Sequence, residues 1–177
     1  MKKIIILFSL VLLLYLVYHN SEVDAITIPD TAIRLRVVPN SNSAHDLEMK
    51  GKVKEYLEQN VYPLLKDTKT IEEAKYTITN KLDVINKDIG KIFKDNNYNQ
   101  DYIINFGSNY FPNKTHKSIV YPEGYYDSLV VYIGESRGDN WWCVLFPPLC
   151  LLEADDEEET SNVEYTFLVK EILAKIF

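Results

Sequence analysis

The residues best suited to nucleophilic or redox chemistry are Cys143 and Cys150, with His45 and His116 as the histidines beyond residue 25. A cysteine hydrolase needs a thiolate and an imidazole within hydrogen-bond reach to generate it. His116 falls in a turn that a folded sheet could carry to Cys143, and His45 is the other available base. Cys143, however, sits inside an apolar run, NWWCVLFPPLC from Asn140 to Cys150. It is not at a helix N-terminus that would lower its pKa, so a structural cysteine is the favoured reading. A disulfide to Cys150 is permitted if the protein is exported. One continuous strand would hold the pair ~23 Å apart, well past the ~7 Å between Cα atoms that a bridge tolerates. Bridging therefore requires a turn at Pro147-Pro148, and both states of the pair stay open.

Other chemistries lack their parts. Asp30-Thr31-Ala32 has the form of one aspartic-protease loop, but its best counterpart, Asp127-Ser128-Leu129, puts leucine where that loop needs glycine. The acids at 153 and 155–159 lack the spacing and central glycine of a calcium loop and read as a solvated linker. Two histidines and two cysteines seven apart are no zinc set, and no glycine-rich loop joins a strand to a helix. With 26 acidic against 19 basic residues the net charge is −7, which disfavours binding nucleic acid through its phosphates. No catalytic set, metal or cofactor is expected.

The elements that must position these residues follow from hydrophobic period and punctuation. Lys2 and Lys3 precede an apolar run, and Val23-Asp24-Ala25 offers a signal-peptidase site. Residues 1–25 thus read as a signal peptide cleaved after Ala25, or a short membrane anchor, with the lysines left inside. Residues 26–177 then form one extracytoplasmic domain that touches the membrane only through that segment. Residues 31–39 alternate as a strand with Ile33, Leu35 and Val37 inward. Ser43 and Asp46 open a helix with an apolar stripe at Leu47, Val53, Leu57 and Val61, which Pro63 ends or kinks. Thr70 and Glu73 cap a second helix running from Ile71 to Phe93.

Beyond the Asp95-Asn96-Asn97 stop, residues become aromatic and β-branched: 101–111 with a bulge at Gly107, 118–121, then 126–133 and 141–146 as an antiparallel pair. An acidic linker at 153–160 leads to a terminal helix over 161–177, capped by Ser161 and Glu164. The predicted class is α+β: a mostly antiparallel sheet packed by two N-terminal helices and one C-terminal helix, plus the N-terminal signal or anchor helix.

Two stretches carry a resemblance. Residues 33–57 include Arg34, Val37, Asn40, Ser41, Ser43, Asp46, Lys50 and Val53, and residues 122–150 end in NWWCVLFPPLC after Phe106-Gly107 and Tyr110-Phe111-Pro112. Both resemble the stage II sporulation protein R family of endospore-forming bacteria. The departures are Pro39 where alanine is usual, Asn42 where an acid is usual, and Ser136 where glycine is common.

The resemblance implies a signalling protein, not an enzyme. Such a protein is exported from the forespore into the intermembrane space, where it activates a membrane-embedded aspartic protease that processes the sigma-E precursor. The protease chemistry would belong to that partner. Residues expected at the contact are Asn40, Ser41, Ser43 and Asp46 of the first loop, and Arg137, Asn140, Trp141, Trp142, Pro147 and Pro148 of the second block. The alternative reading is an envelope cysteine hydrolase using Cys143 with His116 or His45. A contiguous exposed apolar patch drawn from both blocks would mark the interface.

Overall fold

The computed structural model describes residues 26–116, 119–150 and 169–174, together with Val11 and Tyr15. The signal or anchor segment, the acidic linker and most of the expected terminal helix lie outside the described residues. The order is β1 (Ile26–Thr27), β2 (Ile33–Val38), α1 (Ala44–Asn60), α2 (Tyr62–Leu65), α3 (Ile71–Asp95), β3 (Tyr102–Phe111), β4 (Lys114–His116), β5 (Ile119–Tyr121), β6 (Gly124–Ile133) and β7 (Trp141–Phe146). Residues 169–174 are also helical. Among the described residues no helix is long and apolar enough to cross a membrane.

The helices begin where their caps require. The Ser43 hydroxyl accepts from the backbone N–H of Asp46, and Thr70 accepts from Glu73, so each side chain satisfies a donor that the first helical turn cannot. Helix α1 stops at Asn60, and Pro63 lies in the first turn of the short helix α2. Along α3 the buried residues are Ala74, Ile78, Ile85, Ile89 and Phe93, the three-and-four spacing of one face. Helix α1 differs from expectation. Its buried face is Asp46, Met49, Val53 and Leu57, while Leu47 is only half-buried. The carboxylate of Asp46 has internal donors, described below, which turn the first turn of α1 inward at 46 in place of 47.

The main sheet has the order β3-β6-β2-β7, and a second, smaller sheet has β1-β5-β4. The expected β6–β7 pair is therefore not a hairpin: β2 lies between them, parallel to β6 and antiparallel to β7. β1 and β5 are also parallel, so both sheets are mixed, although the antiparallel pairs β2–β7, β3–β6 and β4–β5 outnumber the parallel ones. Composition explains the insertion. Every residue of β2 but Arg36 is buried, so the strand must be covered on both faces and paired on both edges. Gly107 makes no bulge, since β3 pairs with β6 without interruption from Tyr102 to Phe111. The irregularity falls instead between Ile33 and Arg34 on β2.

Two hydrophobic clusters fill the two sides of the main sheet. Ile33, Leu35, Val37, Leu129, Val131, Ile133 and Leu145 pack with the apolar faces of α1, α2 and α3. On the other side Phe111, Tyr126 and Val144 pack with Ile26, Ile119 and Tyr121 of the small sheet, with Ile28 just beyond β1, and with Val169. Tyr102 reaches over Gly90 and donates to the Asn86 carbonyl at 2.8 Å, which ties α3 to the edge strand β3.

This layering predicts a sharp contrast along one strand pair. Leu129→Ala on β6 is expected to lower unfolding stability by about 2–5 kcal/mol, because it leaves a cavity between sheet and helices. Ile103→Ser on the open part of β3 is expected to change it by less than about 0.5 kcal/mol. Chemical denaturation of the two variants checks both figures.

Candidate functional site

Strand β2 ends at Val38, and the loop 39–43 that follows docks onto the loop between β6 and β7. The Arg137 N–H donates to the Asn40 carbonyl at 3.1 Å, and the Gly138 N–H to the Pro39 carbonyl at 3.2 Å. Side chains complete the seam. The Glu135 N–H donates to Asn40 Oδ1 at 2.9 Å, the Asp139 N–H to Asn42 Oδ1 at 2.6 Å, and Lys50 Nζ to the Asp139 carbonyl at 2.9 Å. The approach is close enough to exclude side chains on one partner. A Cβ at Gly138 would collide with the Ser41 backbone, and one at Gly134 (φ +53°, left-handed region) with the Asn40 side chain.

Asp46 anchors the first of these loops. Its carboxylate accepts from Asn40 Nδ2 at 3.0 Å, Ser41 Oγ at 2.5 Å and Tyr98 OH at 2.5 Å. Tyr98 is itself held edge-on by Phe93 and His45. Burial alone would raise the Asp46 pKa. The hydrogen bonds from Ser41, Tyr98, Asn40 and Ser43 outweigh it and hold the carboxyl well below the usual range. The same contact, after burial, pushes the Tyr98 phenol up. Asn40, Ser41, Ser43 and Asp46 thus form a lock of hydrogen bonds within the chain, with Ser43, Arg137 and Asn140 exposed.

The tryptophans diverge from that end of β7. Trp141 packs against the helix-side cluster, with Lys54 Nζ 5.2 Å from its ring. Trp142 faces the small sheet, where the Arg34 guanidinium is 4.5 Å from its ring and Lys114 Nζ 4.7 Å. Arg34 is 1% exposed, and its guanidinium also lies 4.1 Å from the Phe111 ring, 5.0 Å from Tyr126 and 5.6 Å from Tyr121. A cavity of about 260 Å³ opens here, lined by Arg34, Lys114, His116, Tyr121, Asn140, Trp141, Trp142 and Cys143.

The expected contact residues divide between places. Asn40, Ser41, Ser43 and Asp46 meet Arg137 and Asn140 at one end of the sheet, with Trp141 adjoining. Pro147 and Pro148 lie at the other end of β7, next to the start of β2; Pro147 is buried and Pro148 half-buried. There the chain reverses, Cys143 and Cys150 come to a Cα separation of 5.6 Å, and the two form a disulfide. His116 shares the cavity with Cys143, whereas His45 stands against Tyr98. Large exposed hydrophobics within 26–150 are Leu64, Tyr76, Val84, Ile103, Tyr110 and Tyr125. Among the described residues none of these comes from the first block. Sequence reasoning missed the Arg34 box and Tyr98. Alternation had placed Arg34 on an outward face, and only the small sheet makes that face a second interior.

The residues that build both features fall within 29–156, the stretch matched by the family model described as stage II sporulation protein R. A curated relative, "Stage II sporulation protein R" from Bacillus subtilis (strain 168), is 36% identical over 146 residues, 82% of this chain. The chain belongs to the stage II sporulation protein R family. The match spans 65% of the length of the Bacillus subtilis relative. No solved structure matches the chain. Membership in the stage II sporulation protein R family implies a role in sporulation. In this family member the residues that carry the resemblance have structural work: Arg34 fills the aromatic box, Val37 and Val53 the helix-side core, Asn40 to Asp46 the lock, and Lys50 the seam.

Because the folded Asp46 pKa is depressed, its stabilising effect is complete above the unfolded carboxylate pKa of about 3.9. It is lost as the pH falls from there toward the folded value. Asp46→Asn is expected to cost about 1.5–3 kcal/mol near neutral pH, the range for hydrogen bonds to a charged group. It is also expected to flatten the acid limb of stability. Urea titrations of both proteins at several pH values between about 6 and 2 measure the two effects together.

Proposed function

We propose that the chain is an exported signalling protein whose domain, residues 26–177, activates a membrane-embedded aspartic protease that processes the sigma-E precursor. In this reading residues 1–25 direct export from the forespore, and cleavage after Ala25 leaves the domain in the intermembrane space. The chain supplies no bond-breaking group; it binds the extracytoplasmic side of the protease and favours its active arrangement. An activator of this kind must bind the active state more tightly than the inactive one, which calls for a surface of fixed shape.

The observation that carries the reading is the interlocked loop pair. The two stretches that resemble the family are far apart in sequence, yet they bond directly through Asn40, Asn42, Lys50 and the backbone of 135–139. The lock at Asp46 holds this end of the sheet rigid, and it displays Arg137 and Asn140 to a partner. Trp141 and Trp142 flank it as anchors of the kind that dominate interface energies. The competing hydrolase reading requires a thiolate at Cys143, and a sulfur bonded to Cys150 carries none.

Co-expression tests the proposal. The sigma-E precursor, the protease and this chain are produced together in a host that does not sporulate, and processing is read as a mobility shift of the precursor. Processing is expected only when all three are present. Cleavage without this chain, or none with it, would falsify the activator role. A folded Cys143→Ser/Cys150→Ser variant is expected to support processing, whereas loss of processing in that folded variant would restore a chemical role for the cysteine.

A further inference from the structure

Both tryptophans of the sequence line one cavity, and so do three basic side chains. Arg34, Lys114 and His116 converge there with Tyr121, Trp141 and Trp142, and no lining residue is acidic. In a chain of net charge −7 this is a local reversal of sign. Two cations lie against the Trp142 ring, Arg34 at 4.5 Å and Lys114 at 4.7 Å from its centre. The cationic floor is built in, because Arg34 is held 1% exposed among four aromatic rings. Lys114 and His116, on the short strand β4, are exposed at the rim.

Low-dielectric aromatic walls strengthen the field of such a cluster, and planar guanidinium and indole faces suit a carboxylate on an aliphatic stem. The volume, about 260 Å³, falls below the roughly 300–1,000 Å³ of most small-molecule and cofactor sites. It suits one or two side chains of a larger partner. The negative net charge works against approach to an anionic bilayer or to nucleic acid, whose charges are spread over a plane or a rod. A single acidic loop or tail avoids that repulsion.

We infer that this cavity is a receptor site for an acidic peptide segment of a partner protein, a glutamate or aspartate carboxylate entering between Lys114, His116 and Trp142 above Arg34. That the segment belongs to the extracytoplasmic side of the activated protease rests on the function proposed above. The pocket lies on the small-sheet side of β7 and adjoins Asn140, so one partner could engage it and the interlocked loops together.

Tryptophan emission reports on the site directly, since Trp141 and Trp142 are the only tryptophans. A capped hexaglutamate peptide is titrated into the full exported domain, with hexaglutamine as the neutral control and phosphatidylglycerol vesicles as the anionic surface. Saturable emission change with hexaglutamate alone is expected. Lys114→Glu, an exposed change on β4, is expected to weaken binding about tenfold or more by placing like charge at the rim. Raising salt from about 0.05 to 0.5 M is expected to weaken it as well.

No response to hexaglutamate, an equal response to hexaglutamine, or a response to vesicles alone overturns the proposal. So does peptide binding that emerges only after the acids at 153 and 155–159 are exchanged for serine, because the chain's own acidic segment is then the occupant. These outcomes leave the activator reading untouched, which the co-expression assay decides separately. Lys114→Glu assayed there links the two: it is expected to reduce processing, and full processing by a variant that no longer binds peptide would sever the pocket from the signal.

Discussion

Strand β2 buries every residue but Arg36, and most of the architecture follows from covering it. It pairs with β6 along one edge from Arg34 to Val38 and with β7 along the other from Ile33 to Val37, so it cannot sit at a sheet edge. Ile33, Leu35 and Val37 call for one apolar layer, which α1, α2 and α3 provide. Arg34 and Val38 on the opposite side call for another, and around Arg34 the small sheet β1-β5-β4 supplies it. A guanidinium in that second layer is tolerable because aromatic faces surround it; each favourable ring contact contributes on the order of 0.5–2 kcal/mol when water is excluded. The burial of one strand thereby creates both the helix-side core and the cation-floored cavity.

The same strand delivers the chain to the interlocked loops. β2 and β6 run parallel, so their C-terminal ends emerge together and the loops 39–43 and 134–140 meet without a connecting element. Asp46 then turns the first loop into a fixed object. A charged carboxylate with three side-chain donors is expensive to disturb, since removing one donor leaves buried charge poorly solvated. Tyr98 brings the end of α3 into the lock, and Lys50 brings α1 into the seam. Hydrogen bonds within the chain thus fix the shape of this loop pair.

The cysteines illustrate how position converts a reactive residue into a structural one. Cys143 pairs opposite Leu35 in the centre of β7, and Cys150 returns to it after the Pro147-Pro148 reversal. The bridge closes a loop at the edge of the sheet, where β7 has no further strand among the described residues. His116 lines the same cavity, but the Cys143 sulfur is committed to Cys150.

Local features were legible in the order of residues because they are decided within a few positions. Ser43 and Thr70 start helices, the spacing from Ala74 to Phe93 sets one buried face, and Trp141 to Phe146 is a strand, each from period and capping alone. The family resemblance was legible for the same reason, since it is carried by contiguous stretches. Tertiary structure decided which strands are neighbours. Nothing local says that β2 separates β6 from β7, because pairing depends on which edges remain to be satisfied once every strand is made. Arg34 could not be seen as buried until a second sheet covered it, nor Asp46 as an anchor until Tyr98 arrived from the far end of α3. Chain sequence set what each segment can be; burial of the shared strand set what each side chain meets.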